Sequence, residues 1–550
     1  VAAIVAVCGT LEVFSAREET QTWDEGIHIS AGYAYLTAGD FRWNQEHPPL
    51  AKLMSALPLW FLKPTLPVGS EGWRKQDETQ VGIDLLYQNR VSAETLLLAA
   101  RSMTMLLSLL FLAGLAWIVR RRFGEPAALL ALCLCAFDPN LIAHARYVTT
   151  DFPVTVFYVF SVLLWMEYLL DGGLRNIVLA AAAFALALVT KFSAILLIPT
   201  LAVLYAIRWW QEPRQFPIRR LAGVAAMFAG ATLVTVTLLY WPETVRSLNV
   251  TAPRLAQTVN RGNLVGEVLY RTGRWFDLPD HAFLAGLGKV AEHNHGGHAS
   301  YLLGMRSDQG WWYYFPAVFA VKSTIAALAA TSVLLAGGAI ALRRFEWRSL
   351  RAASFVWYAL LVPPLIYFAF SMTSAINIGV RHILPVYPFL YVAAALVLAQ
   401  SALRPAIYAT LALAALQTAE CARITPDYLA FFNALAGGPG NGPRYLVDSN
   451  IDWGQDLKKL KKWLDAHGIG TIRIMYFGNA QMPEFGIKAD FFPDPLDEKG
   501  WSSLDGYAVA SVTPLNGVYL PLDRLAPLRF RQPVAKVGWS LYVYDFRKTK

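Results

Sequence analysis

Two short stretches near the start of the chain hold residue types that could do chemistry. Asp24-Glu25-Gly26 sets two carboxylates side by side, close after an apolar run. Beside a membrane boundary such acids cost desolvation free energy unless they are paired or used. Asp24 could instead cap a helix that starts near Gly26. Asn44-Gln45-Glu46-His47-Pro48-Pro49-Leu50-Ala51-Lys52 follows. Its prolines stiffen the backbone and fix the direction of the His47 ring, and they also suit the start of the next helix. Further on, Arg381-His382 puts a guanidinium beside an imidazole. A fork of N–H donors matches a phosphate, although a topology anchor is the plainer use of an arginine there. His293, His295 and His298 form H-x-H-x-x-H in a Gly-rich loop. With a carboxylate they could hold a divalent metal, which would offset phosphate charge; alternatively they bind nothing.

The elements that must position these groups read as membrane spans. Hydrophobic residues make up 55% of the 550, and charged residues only 16%, against about 25% charged in soluble chains. That balance excludes disorder and argues against a soluble enzyme. Lys plus Arg is 48 and Asp plus Glu 39, a net charge of +9. In such an apolar chain the excess is better read as membrane sidedness than as nucleic-acid binding. Stretches of roughly 20 mostly apolar residues, enough to cross the hydrocarbon core, fall near 95–119, 126–143, 152–170, 221–240, 315–342, 352–371, 383–400 and 405–422. Residues 175–207, interrupted at Lys191, suit a hairpin of two short helices, and residues 1–14 look like the tail of another helix. The chain begins without Met, which reads as residues lost before Val1. The expectation is a mainly α integral membrane protein of about 11 transmembrane helices.

Arg120-Arg121-Arg122, Arg208–Arg220 and Arg343–Arg351 fall at alternate helix ends, so they share one side, the cytoplasmic one by the positive-inside rule. The outer face then carries 15–94, 144–151, 241–314, 372–382 and everything after about 423. Two domains are expected: a transmembrane module, 1–422, and a small C-terminal α/β domain outside the membrane, 423–550. Gly437 to Pro443 reads as a turn-rich connector. Leu457, Leu460 and Leu464 amid lysines read as an amphipathic helix. Ile472, Ile474 and Tyr476, like Leu541 and Val543, alternate as strands do. Cys8, Cys133, Cys135 and Cys421 lie in or beside apolar runs and read as buried free thiols. Trp311 to Phe315 read as an interfacial aromatic belt.

The ordered set of motifs resembles a known family. A span, then Trp23-Asp24-Glu25-Gly26, then His47-Pro48-Pro49-Leu50-x-Lys52 looks like the lipid-linked sugar transferases of the GT-C fold. Protein O-mannosyltransferases and the aminoarabinose transferases of lipid A are the nearest in kind, and bacterial members fit best. Thr149-Thr150-Asp151-Phe152-Pro153, His295 to Gly304, Gly310 to Pro316, Ile378 to His382 and Asp448-Ser449-Asn450-Ile451-Asp452-Trp453-Gly454-Gln455-Asp456 agree with it. The resemblance implies a polytopic GT-C bundle in the plasma (inner) membrane. Its active site would face the periplasm, and it would use a sugar carried on polyprenyl phosphate. The sugar would be a hexose or pentose, such as mannose; the acceptor a hydroxyl of a protein, lipid A or an envelope glycan. It maps the general base onto Asp24, gives Glu25 the task of holding acceptor or donor, and places His47 and Asp151 at the outer-loop site. Glu46 or His47 with His295 would be the metal ligands, if a divalent cation is used.

Transfer with inversion needs a base for the acceptor proton and cations where the phosphate departs. The candidate cations are Lys52, Arg146, Lys191, Arg381 and His382, with Arg381 the best suited. A transporter or flippase for a sugar or lipid-linked sugar is the alternative. Carriers usually place charges in broken helices at the midplane, often in matched halves; here the acids lie in loops and no repeat shows. Asp448 to Asp452 begins like a calcium loop, but Trp453 and Lys459 stand where that loop needs Gly and an acid. Asp456 instead suits the start of the following helix.

Overall fold

The computed structural model describes residues 1–216, 218–343, 351, 354–401, 404–492, 501 and 504–547. The chain is mainly helical. Ala93–Phe123 shows why such helices form where they do. Ser92 accepts a hydrogen bond from the Thr95 N–H at 3.3 Å, Glu94 lies in the first turn, Arg120 to Arg122 lie in the last, and Gly124 ends it. Charge thus complements the helix dipole at both ends. At about 1.5 Å per residue this helix exceeds the hydrocarbon thickness.

Four helices among the described residues are long and apolar enough to cross a membrane: Ala93–Phe123, Asp151–Asp171, Phe192–Gln211 and Arg220–Leu239. Two further candidates are bent. Glu125–Ala136 and Pro139–Ala145 meet at 66°, and Tyr314–Lys322 and Ile325–Ala339 at 119°. These bends correct the expectation of continuous spans over 126–143 and 315–342. The Asp138 carboxylate accepts from the N–H groups of Asn140 and Leu141 and starts a new helix at Pro139. Thr324 does the same for Ala327, while its hydroxyl donates to Gln417 at 2.6 Å. Residues 175–207 break at Lys191, between Leu174–Leu188 and Phe192–Leu196. Leu174–Leu188, Phe355–Ser371 and Val386–Gln400 are apolar but shorter than a full span. Residues 344–350 of the third Arg-rich loop lie outside the described residues.

The main core joins Ala93–Phe123, Glu125–Ala136, Asp151–Asp171 and Val386–Gln400. Tyr428 to Phe432, Leu446, Ile451 and Trp453 are buried in that same core. Packing therefore moves the expected domain boundary: 428–453 belongs with the helical module, and the smaller unit starts near Leu457. That unit is a five-stranded sheet in the order β4-β3-β5-β7-β6, formed by Thr471–Met475 (β3), Lys488–Phe491 (β4), Tyr507–Ser511 (β5), Ala535–Val537 (β6) and Leu541–Asp545 (β7). β3 runs parallel to β4 and β5, and β7 antiparallel to β5 and β6. Helix Leu457–Ala466 lays Leu457, Leu460 and Leu464 against Ile472, Ile474 and Val543. Ser300–Leu302 (β1) and Met305–Ser307 (β2) form a separate hairpin.

Candidate active site

The segment that carries Asp24 is tied down on both sides. Thr20 and Trp23 donate their N–H groups to the carbonyls of Gln455 and Trp453, at 2.8 and 2.9 Å. Glu25, fully buried, receives Arg101 in a fork: Nε to Oε1 at 2.8 Å and Nη2 to Oε2 at 2.6 Å. The N–H groups of Thr22 and Val148 also donate to it. Arg101 goes on to the carbonyls of Ala16 and Thr20, both at 2.8 Å. Glu25 thus has no face toward a substrate, which corrects the role expected of it; it locks the turn that aims Asp24. Glu25→Ala strands a buried guanidinium and should cost about 3–5 kcal/mol of stability. Melting in detergent checks this, and Arg101→Ala combined with Glu25→Ala should lose less than the two single losses together.

Asp24 stands at the N-cap of Glu25–Ala38, yet its carboxylate makes no cap bond. It turns into a cavity of about 980 Å³, which Asp151, Lys191, Arg381, His382, His47, His28, Glu46 and Asp448 also line. Arg381 Nη1 donates to Asp24 Oδ2 at 2.9 Å and lies 3.7 Å from Asp151 Oδ2. The guanidinium sits 4.3 Å over the Trp453 ring, and its buried Nε has no partner among the described residues. Lys191 Nζ reaches Asp151 Oδ1 at 2.5 Å. Asp24 Oδ1 carries no bond to a described residue, and the Asp24 side chain is 28% exposed.

Local structure explains these placements. Asn450 Oδ1 accepts from the Val380 N–H, which fixes the single turn carrying Arg381 and His382. A side chain at Gly379 would collide with Ser449 Oγ, 2.7 Å from an added Cβ. The Leu50 N–H donates to the Val189 carbonyl at 3.0 Å, which brings the His-Pro-Pro turn beside Lys191. His47 stacks near His28, ring centroids 5.7 Å apart. Burial, reinforced by Lys191, His28 and Lys52, keeps the His47 imidazole well below its ordinary range. Burial with Lys191 and Arg381 does the same to His382. Both rings are therefore neutral at pH 7.

Two expected phosphate ligands lie elsewhere. Lys52 is fully buried, and its ammonium donates to the carbonyls of Asn44 and His47, both at 2.6 Å, and to Asn44 Oδ1 and Tyr35 OH. It reaches back from the first turn of its helix to brace the His47 loop. Arg146 is fully buried against Glu19, which also accepts from Tyr147 OH and lies 3.8 Å from Lys459. None of these residues lines the cavity. Of the expected metal ligands, Glu46 and His47 line the cavity and His295 does not. His295 is exposed, and Glu46 faces His293 at 3.4 Å instead. Among the described residues no three His, Cys, Asp or Glu gather to hold a metal ion.

Sequence reasoning left the 448–456 stretch without a role, and the structure supplies one. It threads between the Asp24 segment and the Arg381 turn and bonds to both. Lys322 pins it from below through the Asn450 carbonyl at 2.7 Å. Its acids have separate partners: Asp448 takes Tyr519 OH, Asp452 takes the Thr513 N–H, and Asp456 takes Ser540 and Lys459. Burial pushes the Asp452 carboxyl up to about 8. Between the ordinary carboxylate value near 4 and about 8 the folded chain holds one more proton there than the unfolded chain. Stability must therefore fall as pH rises across that window. Melting of the wild type from pH 5.5 to 8.5 should show the fall, and Asp452→Asn should flatten it.

Comparison with known proteins agrees with this architecture. Residues 93–241 match the family model for dolichyl-phosphate-mannose-protein mannosyltransferase. Among curated proteins no sequence matches the chain. The structure of AglB, the oligosaccharyltransferase of Archaeoglobus fulgidus in complex with an inhibitory peptide and a dolichol-phosphate, is 11% identical. It aligns over 97% of this chain and 72% of its own, with a TM-score of 0.50. ArnT from Cupriavidus metallidurans bound to undecaprenyl phosphate is 15% identical over 98% of this chain and 97% of its own, with a TM-score of 0.47. The chain has the GT-C fold.

Proposed function

We propose that this GT-C chain is a membrane glycosyltransferase. It moves a sugar from a polyprenyl-phosphate donor to an acceptor hydroxyl on the outer face of the plasma membrane, with inversion. The observation that carries the proposal is one cavity in which Asp24 pairs directly with Arg381, and Asp151 in turn links Arg381 to Lys191. Asp24 Oδ1 is open to take a proton. The unpartnered Arg381 Nε and the lysine offer cations where phosphate charge develops. In the reaction the acceptor O–H proton passes to Asp24 as its oxygen bonds to the anomeric carbon. The bond from that carbon to the phosphate oxygen breaks, and polyprenyl phosphate leaves with the electron pair.

A route for the lipid tail supports this. Ile195 and Phe370 line the cavity and are also 43% and 53% exposed on the flank of the helical bundle. An apolar tail could leave between the helices that bear them. The AglB structure holds a dolichol-phosphate, which supports a lipid-phosphate donor, and Arg381 and Lys191 are the cations that would meet its phosphate in this chain. The Arg-rich helix ends support an outward-facing site.

The test is the purified chain in nanodiscs with defined mannosyl, glucosyl and arabinosyl polyprenyl phosphates and an envelope extract as acceptor. Mass spectrometry should find free polyprenyl phosphate and a glycosylated acceptor. No consumption of any of these donors would overturn the proposal.

A further inference from the structure

Three segments far apart in sequence meet on the cavity wall beside Asp24. Tyr301, Val447 and Val518 form a small buried cluster, with Ala299 packed against it. It holds the three segments in register, so His298, Asp448 and Tyr519 come together. Tyr519 OH donates to Asp448 Oδ2 at 2.8 Å, and His298 Nε2 lies 2.8 Å from the same hydroxyl. Arg306 braces the segment from behind by donating to the Gly517 carbonyl at 2.7 Å.

Two features mark this trio as more than packing. Asp448 and Tyr519 both adopt the left-handed backbone, with φ of 59° and 61°. That conformation is uncommon for a residue that bears a side chain, most of all for tyrosine, and such strain concentrates at ligand sites. Tyr519 is also 49% exposed although it lines the cavity. One face of its ring stacks on Phe477, 5.3 Å away and 12° from parallel. Phe477 stacks in turn on Trp23, 5.0 Å away, and Trp23 adjoins Asp24. Among the described residues no second ring stacks on Tyr519, and His298 lies near it at 65°, edge to face.

The geometry points to a saccharide-binding subsite formed by Tyr519, Asp448 and His298, which holds the acceptor. The open ring face suits the C–H face of a pyranose. The carboxylate, imidazole and phenol suit hydroxyls that both donate and accept. The column of rings then leads from the bound saccharide to the base. The subsite presupposes the transferase activity proposed above.

Two measurements keep the two ideas apart. With whichever donor the wild type consumes, KM is compared for a mannan-type oligosaccharide and a Ser/Thr-rich peptide, in the wild type, Tyr519→Ala, Tyr519→Phe and Asp448→Asn. The oligosaccharide should be glycosylated. Its KM should rise at least tenfold in Tyr519→Ala and Asp448→Asn and less in Tyr519→Phe, which keeps the ring; donor KM should stay within twofold. Use of the peptide with refusal of the saccharide, or a change confined to donor KM, would overturn the subsite. Should the wild type consume no donor, the transferase proposal fails and the subsite is judged by binding alone. Saturation-transfer NMR of methyl pyranosides should then show contact in the wild type and none in Tyr519→Ala; equal signals in both would reject it.

Discussion

Asp24→Asn is expected to lower transfer by about 10²–10⁴-fold, the usual worth of a positioned base, with the protein folded as before. The substitution is close to isosteric. The amide oxygen can still accept from Arg381 Nη1, and the side chain makes no other hydrogen bond with a described residue. Asp24 holds no helix cap, and its segment is fixed by Glu25, Arg101 and the Trp453 and Gln455 carbonyls instead. Melting temperature and donor affinity should therefore hardly change, which separates lost chemistry from lost structure. Asp24 is also paired with Arg381. A donor phosphate that draws the guanidinium toward itself would relieve that pairing and free both carboxylate oxygens for the acceptor proton. Single-turnover rates measured with the donor pre-bound are the direct readout. Transfer by purified Asp24→Asn within threefold of wild type would move the base elsewhere in the cavity.

What the sequence revealed and what it hid divide by range. Asp24 and the His-Pro-Pro turn were legible because each is a short motif whose chemistry shows in its own residues. Glu25 was misread because its partner, Arg101, lies on the next long helix and only the fold joins them. Arg146 was misread for the same reason, with Glu19 far away in the chain. Lys52 is a different failure. Its partners sit within eight residues apart from Tyr35, and a lysine one turn into a helix can reach back to the loop before it. The breaks at Asp138 and Thr324 carried cap signals, Asp-Pro and Ser-Thr, that averaging over an apolar window concealed. The Gly-rich run 437–443 looked like a linker, yet Pro439–Arg444 is an ordered turn of helix. There a Cβ at Gly442 would lie 2.5 Å from the Phe432 ring. Glycine served close packing, and the domain boundary fell later.

Arg381→Leu should lower kcat/KM for the donor by about 10²–10³-fold, as expected when a donor aimed at developing oxyanion charge is removed. Arg381→Lys should recover little of it, since a lysine cannot rebuild the planar fork or its stacking over Trp453. A simpler role competes: the arginine could serve only to orient Asp24, which it touches at 2.9 Å. The double variant decides between the two. If Arg381 acts solely through Asp24, then Asp24→Asn with Arg381→Leu should be no slower than Asp24→Asn alone. If it also meets the leaving phosphate, the double variant should be slower by most of the Arg381 factor, because the second contribution survives loss of the base. Loss of the guanidinium leaves Asp151 paired with Lys191, so that acid stays neutralised and the fold should hold. Equal rates for the single and double variants would return the phosphate to Lys191 and His382.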